Sequence, residues 1–358
     1  MLREQPSTLA RYLFVAYALL VVYASLHPFS GWRDQGLPPL AFLTAPFPRF
    51  ISAFDVTANV IGYVPFGFLA VLAVHPSMRG GAALAFGIVC AFLLSFLLEA
   101  LQLYLPSRIS SNLDLLANTA GGTIGALAAA ASSRHMLRDE GLQALRYRFF
   151  LPGGRADLGL VLLGLWLLSQ LNPETLLFGA GDLRGLLQTP PLGKLYPAGL
   201  FLRVEAAVAG ANIVAAGLLV SCLTARGQPT RRLVAILVMT ALAVRSLAFG
   251  LLLSPQNMLL WVTPGALYGV AAGTVLLLIA VELPRTAQLA LTGLALMAAT
   301  ALVNLAPANP YMTASLALWR QGHFLNFNGV TRIVSAAWPF VAMIYLVLLA
   351  AERGRARG

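Results

Sequence analysis

The sequence predicts an all-α protein, a polytopic transmembrane bundle of about ten spanning helices with both termini cytoplasmic. Three observations carry that expectation. Of the 358 residues, 59% are hydrophobic and only 10% are charged, far from the balance of a soluble domain. Apolar stretches approaching the roughly 20 residues that cross a bilayer recur along the chain. The arginines concentrate in alternate connecting segments, which is the distribution of cytoplasmic loops.

In chain order the spans are expected at 11–27, 56–74, 82–104, 113–132, 157–172, 200–224, 232–253, 259–281, 286–305 and 333–351. The first has a basic flank, Arg3 and Arg11. The bulky, polar LHPFSGWR follows it rather than a small-residue cleavage site, so it reads as a retained helix and not a cleaved signal. The fifth is short and stops at Asn172-Pro173. With the N-terminus inside, Arg79, the basic linker, Arg226, Arg231, Arg232, Arg285 and the tail ERGRARG all fall inside. The alternate segments hold fewer bases: Arg33 and Arg49, Arg108, Arg184 with Lys194, and Arg320. This threading is that of a multi-pass inner-membrane protein, with its basic loops on the cytoplasmic side.

The net charge of +11 follows from the same bias. The arginines are scattered over loops rather than clustered with aromatics, which excludes nucleic-acid binding. Cys90 and Cys222 both sit in apolar runs, and no CxxC or Cys/His spacing is present, so no metal or other cofactor is expected. The composition also divides the chain: a membrane domain of four helices over 1–133, a basic cytoplasmic linker over 134–156, and a membrane domain of about six helices over 157–358. The linker fits either an amphipathic helix, with Leu137, Leu142, Leu145 and Phe149 on its apolar face, or a solvated basic loop. The segment from Asp182 to Phe201, broken by Pro and Gly, reads as re-entrant or interfacial. Membrane lipids are the one certain partner of such a chain; its oligomeric state is not encoded in any recognisable pattern.

Against this apolar background one region concentrates polar residues. Glu99 and Gln102 share a face at the end of the third span, and Asp114 and Asn118 share a face at the start of the fourth. Ser111, three residues before Asp114, forms a capping-box pattern with Asp in place of Glu. The second span repeats the motif with Asp55 and Asn59, and Tyr63 extends that face by one turn. Arg108 lies in the intervening loop and His27 ends the first span. Charges at membrane depth are costly and usually face the bundle interior in pairs. Three acids against one Arg leave surplus negative charge, so the set is expected to meet around Arg108 as an outward-facing pocket. Single members also have a purely structural use, as caps or interhelical hydrogen-bond partners. Pro65 with Gly62 and Gly67 suggests a kink in the second span, and Ala117, Gly121 and Gly125 form a small-residue packing stripe.

Two motifs make residues 12–132 resemble the VanZ-like family of bacterial membrane proteins. The first is N-V-I-G-Y-V-P-F-G-F-L, from Asn59 to Leu69. The second is E-x-x-Q-x(5)-R-x(5)-D-x(3)-N-x-x-G, which places Glu99, Gln102, Arg108, Asp114, Asn118 and Gly121. The run Ile109–Leu113 lacks the additional Asp that many members carry there. The resemblance implies a multi-spanning membrane domain, and its name-giving member is associated with tolerance of the glycopeptide teicoplanin. It does not extend beyond Arg155.

The expected function is therefore binding of an envelope-related amphiphile, a lipid-linked cell-wall intermediate or a lipophilic glycopeptide, at a polar cluster of Asp55, Asn59, Glu99, Gln102, Arg108, Asp114 and Asn118, contributing to antibiotic or envelope-stress tolerance. A proton-coupled secondary transporter and an assembly partner in the envelope are the alternatives. No Ser-His, Cys-His or HExxH arrangement supports an enzyme. In the C-terminal half, Glu205 and Arg245 are placed to pair, Asn212 and Asn304 read as hydrogen-bond links between helices, and the aromatic loop from Pro307 to Gly329 reads as a lid or an interfacial segment.

Overall fold

The computed structural model describes residues 7–38, 40–47, 52–136, 142–184, 196–307, 309–310 and 325–355. Among them are twelve α-helices, one 3-10 turn and no strand beyond an isolated bridge between Phe150 and Thr224. The helices are α1 Thr8–Leu26, α2 Ala41–Thr44, α3 Ala53–Val74, α4 Gly81–Gln102, α5 Asn112–Met136, α6 Leu142–Phe149 and α7 Gly154–Ser169, followed by α8 Ala198–Leu223, α9 Thr230–Leu252, α10 Pro264–Ala280, α11 Arg285–Leu305 and α12 Leu325–Arg355.

Each of the ten expected stretches forms a helix, and eight are long and apolar enough to cross a membrane. The chain is a multi-pass membrane protein. The two shorter helices have local causes. The 16 residues of α7 rise only about 24 Å, because Asn172-Pro173 follows and proline disfavours continuation of the helix. The start of α10 is fixed by Thr263, whose hydroxyl caps Ala266 N–H, and by Pro264 at its first position. The preceding Leu259–Trp261, expected inside that span, form a turn instead.

Two compact units divide the chain, one comprising Met1–Arg148 with Pro152–Val161, the other Phe149–Leu151 with Leu162–Gly358. In the first unit α3 packs most extensively on α5, and both pack on α4. The small-residue stripe makes this possible. A methyl group on Gly121 would collide with the backbone of Val60, one on Gly125 with that of Val64, and one on Gly67 with that of Gly122. The two helices therefore touch backbone to backbone, the geometry that gives dispersion its full effect where no hydrophobic force acts between helices. Pro65 leaves the carbonyl of Ile61 without its helical donor. At the adjacent residue the Tyr17 hydroxyl of α1 donates to the Gly62 carbonyl at 2.8 Å, tying α1 to this part of α3.

The linker is helical over Leu142–Phe149, while Leu137 lies outside the described residues. Arg146 is not on a solvated face. It is buried and donates to Asp157 at 2.6 Å, and Thr8 also bonds that carboxylate. Removing one partner of a buried pair strands the other charge. Asp157→Ala is expected to destabilise the protein by about 3 kcal/mol, read as a lowered Tm of the detergent-solubilised chain; an unchanged Tm would show that Arg146 finds water instead.

The second unit is organised around α8, which is buried over most of its length. Gly210 lies against Gly269 and Gly273 of α10, so these helices also approach closely. Trp166, Phe178 and Trp338 form an aromatic cluster, and the Trp338 indole donates to the Leu162 carbonyl. Asn304 does link elements: its amide donates to the Gly181 carbonyl and its oxygen accepts from Leu183 N–H. The described bonds of Asn212 are different, its amide donating to the Val208 carbonyl one turn back on its own helix. The greater part of Asp182–Phe201 and of the Pro307–Gly329 loop lies outside the described residues.

Candidate functional site

The end of α1, the start of α3, the end of α4 and the start of α5 gather at one end of the first unit. Hydrogen bonds between them define that end. Asn59 on α3 donates to Asp114 on α5 at 2.9 Å. Gln102 on α4 donates to the Ser25 carbonyl of α1 at 3.0 Å. Asn118 on α5 donates to the Ser95 hydroxyl of α4 at 3.0 Å.

Glu99 is the deepest of the acids, with 3% of its surface exposed. Its carboxylate accepts from Ser111 N–H at 2.8 Å and from the Ser110 hydroxyl at 3.3 Å. This rearranges the expected capping box. Ser111 N–H is taken by Glu99, and its hydroxyl accepts from Leu113 N–H at 3.2 Å. Asp114, relieved of the capping role, turns toward α3 and meets Asn59. The one described acid–amide bond, Asn59 to Asp114, thus runs between helices rather than along one. Asp55 is exposed at the rim, close enough to Asp114 for their charges to interact, as Asp114 is to Glu99.

Arg108 does not join the acids. Its Nε donates to the His27 carbonyl at 2.9 Å, and its Nη2 reaches the carbonyls of Ala24 and His27. It thereby covers the last carbonyls of α1, where positive charge is favoured by the helix dipole. Half-burial lowers its pKa from the ordinary value through desolvation, and the carbonyl oxygens supply the compensating contacts. Among the described residues no ion pair involves Asp55, Glu99 or Asp114, and no group of three acids, histidines or cysteines is close enough to hold a metal ion.

Below the acids, the Asn118 side-chain oxygen, on a residue 7% exposed, has no hydrogen bond among the described residues, and the Tyr63 hydroxyl, on a residue 4% exposed, has only Ser95 for a neighbouring partner. Tyr63 lies beside Ser95 and near Glu99. Ser95 and Ser110 are members of this cluster that the polar motif alone does not mark. Ser95 was recoverable, since 95, 99 and 102 share one face of α4. Ser110 was not, because it reaches Glu99 only through the fold of the loop.

The family model described as VanZ/LLP1 matches residues 9–133. No curated protein and no solved structure matches the chain. The matched segment holds α1, α3, α4 and α5 together with the whole polar end just described, so the first unit of this multi-pass membrane protein carries a VanZ-like module.

Proposed function

We propose that this polar end lies at the outer leaflet of a bacterial inner membrane and binds the head group of an envelope-related amphiphile, a lipid-linked cell-wall intermediate or a lipophilic glycopeptide. The observation that carries the reading is the buried Asn118 oxygen, unpartnered among the described residues, with the Tyr63 hydroxyl of the facing helix beside the same Ser95, beneath acids that no described cation neutralises. A buried polar atom without a partner costs about 1–3 kcal/mol, and a bound head group would supply the missing bonds. The acids favour a head rich in hydroxyl or ammonium donors. A bare phosphate finds little here, since Arg108 is directed to the carbonyls of α1. A transmembrane proton relay receives no support: α3, α4 and α5 carry no acid besides Asp55, Glu99 and Asp114, all at one end.

Tyr63→Phe separates binding from folding. Deleting this hydroxyl gives up at most its contact with Ser95 and is expected to change stability by no more than about 1 kcal/mol. Glu99→Gln keeps the shape of the acceptor and removes its charge. In a susceptible host expressing the full chain, both variants are expected to lose tolerance of teicoplanin at wild-type protein levels. Wild-type tolerance in the Tyr63→Phe, Glu99→Gln double variant would refute the proposal.

A further inference from the structure

The second unit contains a cavity of about 440 Å³, within the range of small-molecule sites. It sits where α8 begins, α9 ends and α10 begins. Its walls are largely apolar, with Phe201, Leu202, Phe249, Leu253, Leu260 and Trp261 among them. Two charged side chains also line it, Glu205 of α8 and Arg245 of α9. The family match ends at residue 133 and does not reach this region.

The two charges are not equivalent. Arg245 is 2% exposed, its two Nη groups bond the turn after α7, and its Nε has no partner among the described residues. Nη1 and Nη2 bond the carbonyls of Asn172 and Thr175, with longer contacts to the Gln170 carbonyl and the Thr175 hydroxyl, and the guanidinium lies 4.9 Å from the Phe249 ring centre. Glu205 feels the Arg245 charge, but no ion pair within contact distance joins them. The Thr263 hydroxyl, which accepts from Ala266 N–H at 3.0 Å, retains its proton for the Glu205 carboxylate beside it. Gly265 keeps the space for that carboxylate, since a methyl group there would overlap Oε2. Glu205 is thus held in position as an acceptor on the cavity wall, with no cation in contact among the described residues.

We propose that this cavity binds an amphiphile with an ammonium head group, the head on Glu205 and the apolar body along Phe201, Phe249 and Leu253. Three features choose this occupant. A half-buried carboxylate with no contacting cation among the described residues is complemented by a positive donor. The aromatic side chain of Trp261 on the same cavity wall favours cations. Trp261, whose indole donates to the Ser246 hydroxyl at 2.9 Å, is the residue type of the membrane interface, the depth at which amphiphile head groups lie.

The test uses the full chain in nanodiscs, with empty nanodiscs subtracted, and three single-chain probes: dodecylammonium, dodecanoate and dodecanol. Wild type is expected to bind dodecylammonium at least about tenfold more tightly than the other two. Glu205→Gln is expected to remove that preference. Ala198 is an exposed residue of the cavity wall, so Ala198→Trp adds bulk at the wall without disturbing the core and is expected to abolish binding of the probe. Circular dichroism and gel filtration establish that each variant is folded. Equal affinity for the three probes, an unchanged preference in folded Glu205→Gln, or retained binding in Ala198→Trp would overturn the proposal. Should Glu205→Gln not fold, Ala198→Trp decides alone.

Discussion

Replacing Gly121 or Gly125 by Leu is expected to prevent assembly of the VanZ-like unit. At both positions even a methyl group would occupy the space of an α3 backbone carbonyl, that of Val60 or Val64. A flexible side chain can swing aside, but a carbonyl held in a helix cannot. The helices would have to separate by the thickness of a side chain, and overpacking of even tolerant sites costs about 1–3 kcal/mol. Separation would also break the Asn59–Asp114 bond, which spans the same pair of helices at 2.9 Å. The expected result is protein that is degraded in cells or aggregates on extraction. Gly62→Ala is the control, since nothing lies within 4 Å of a methyl group at that glycine. Cysteines placed on facing turns of α3 and α5 should cross-link in the parent and in Gly62→Ala but not in Gly121→Leu. Efficient cross-linking in Gly121→Leu would show that the helices tolerate a wider spacing.

That stripe was readable because four-residue spacing of small residues maps directly onto one helix face. The spans were readable for a similar reason: bilayer thickness fixes the length of an apolar run. The shortening of α10 was less accessible. Leu259–Trp261 are apolar enough to extend the helix, and only the capping by Thr263 and the proline after it set the start. The division of α7 between the two units has no signature in composition either.

The polar end was legible as a set but not as a circuit. Spacing placed Asp55 with Asn59, Glu99 with Gln102 and Asp114 with Asn118 on common faces, and each residue does lie at that end. Spacing carries no information on which partner each side chain selects once the helices meet. Asn59 therefore bonds Asp114 rather than Asp55, and Glu99 takes the Ser111 N–H that a capping box would assign to Asp114. Counting charges suggested that Arg108 would settle among the acids. The unsatisfied carbonyls at the end of α1 competed for it and hold it, because a helix terminus presents several acceptors at once.

Arg245→Leu is expected to unfold the second unit, with a loss of about 5 kcal/mol. Arg245 lies eight residues before the C-terminal cap of α9, at a depth where a lone charge is costly. What stabilises it is the turn after α7. The carbonyls of Asn172 and Thr175 accept its main bonds, and those oxygens have no helical donor of their own past Ser169. Removing the guanidinium strands these acceptors and takes away the nearest described positive charge to Glu205. An apolar replacement repairs none of this. Arg245→Lys keeps the charge but has one compact donor group where Arg reaches both carbonyls, so an intermediate loss is expected. In Arg245→Leu combined with Glu205→Leu the stranded acid is gone but the carbonyls are not. If electrostatic compensation of Glu205 dominates, the double variant recovers most of the lost Tm; if carbonyl capping dominates, it recovers little. The geometry favours the second outcome, because Arg245 contacts the turn and does not contact Glu205. Full recovery in the double variant would reverse that assignment.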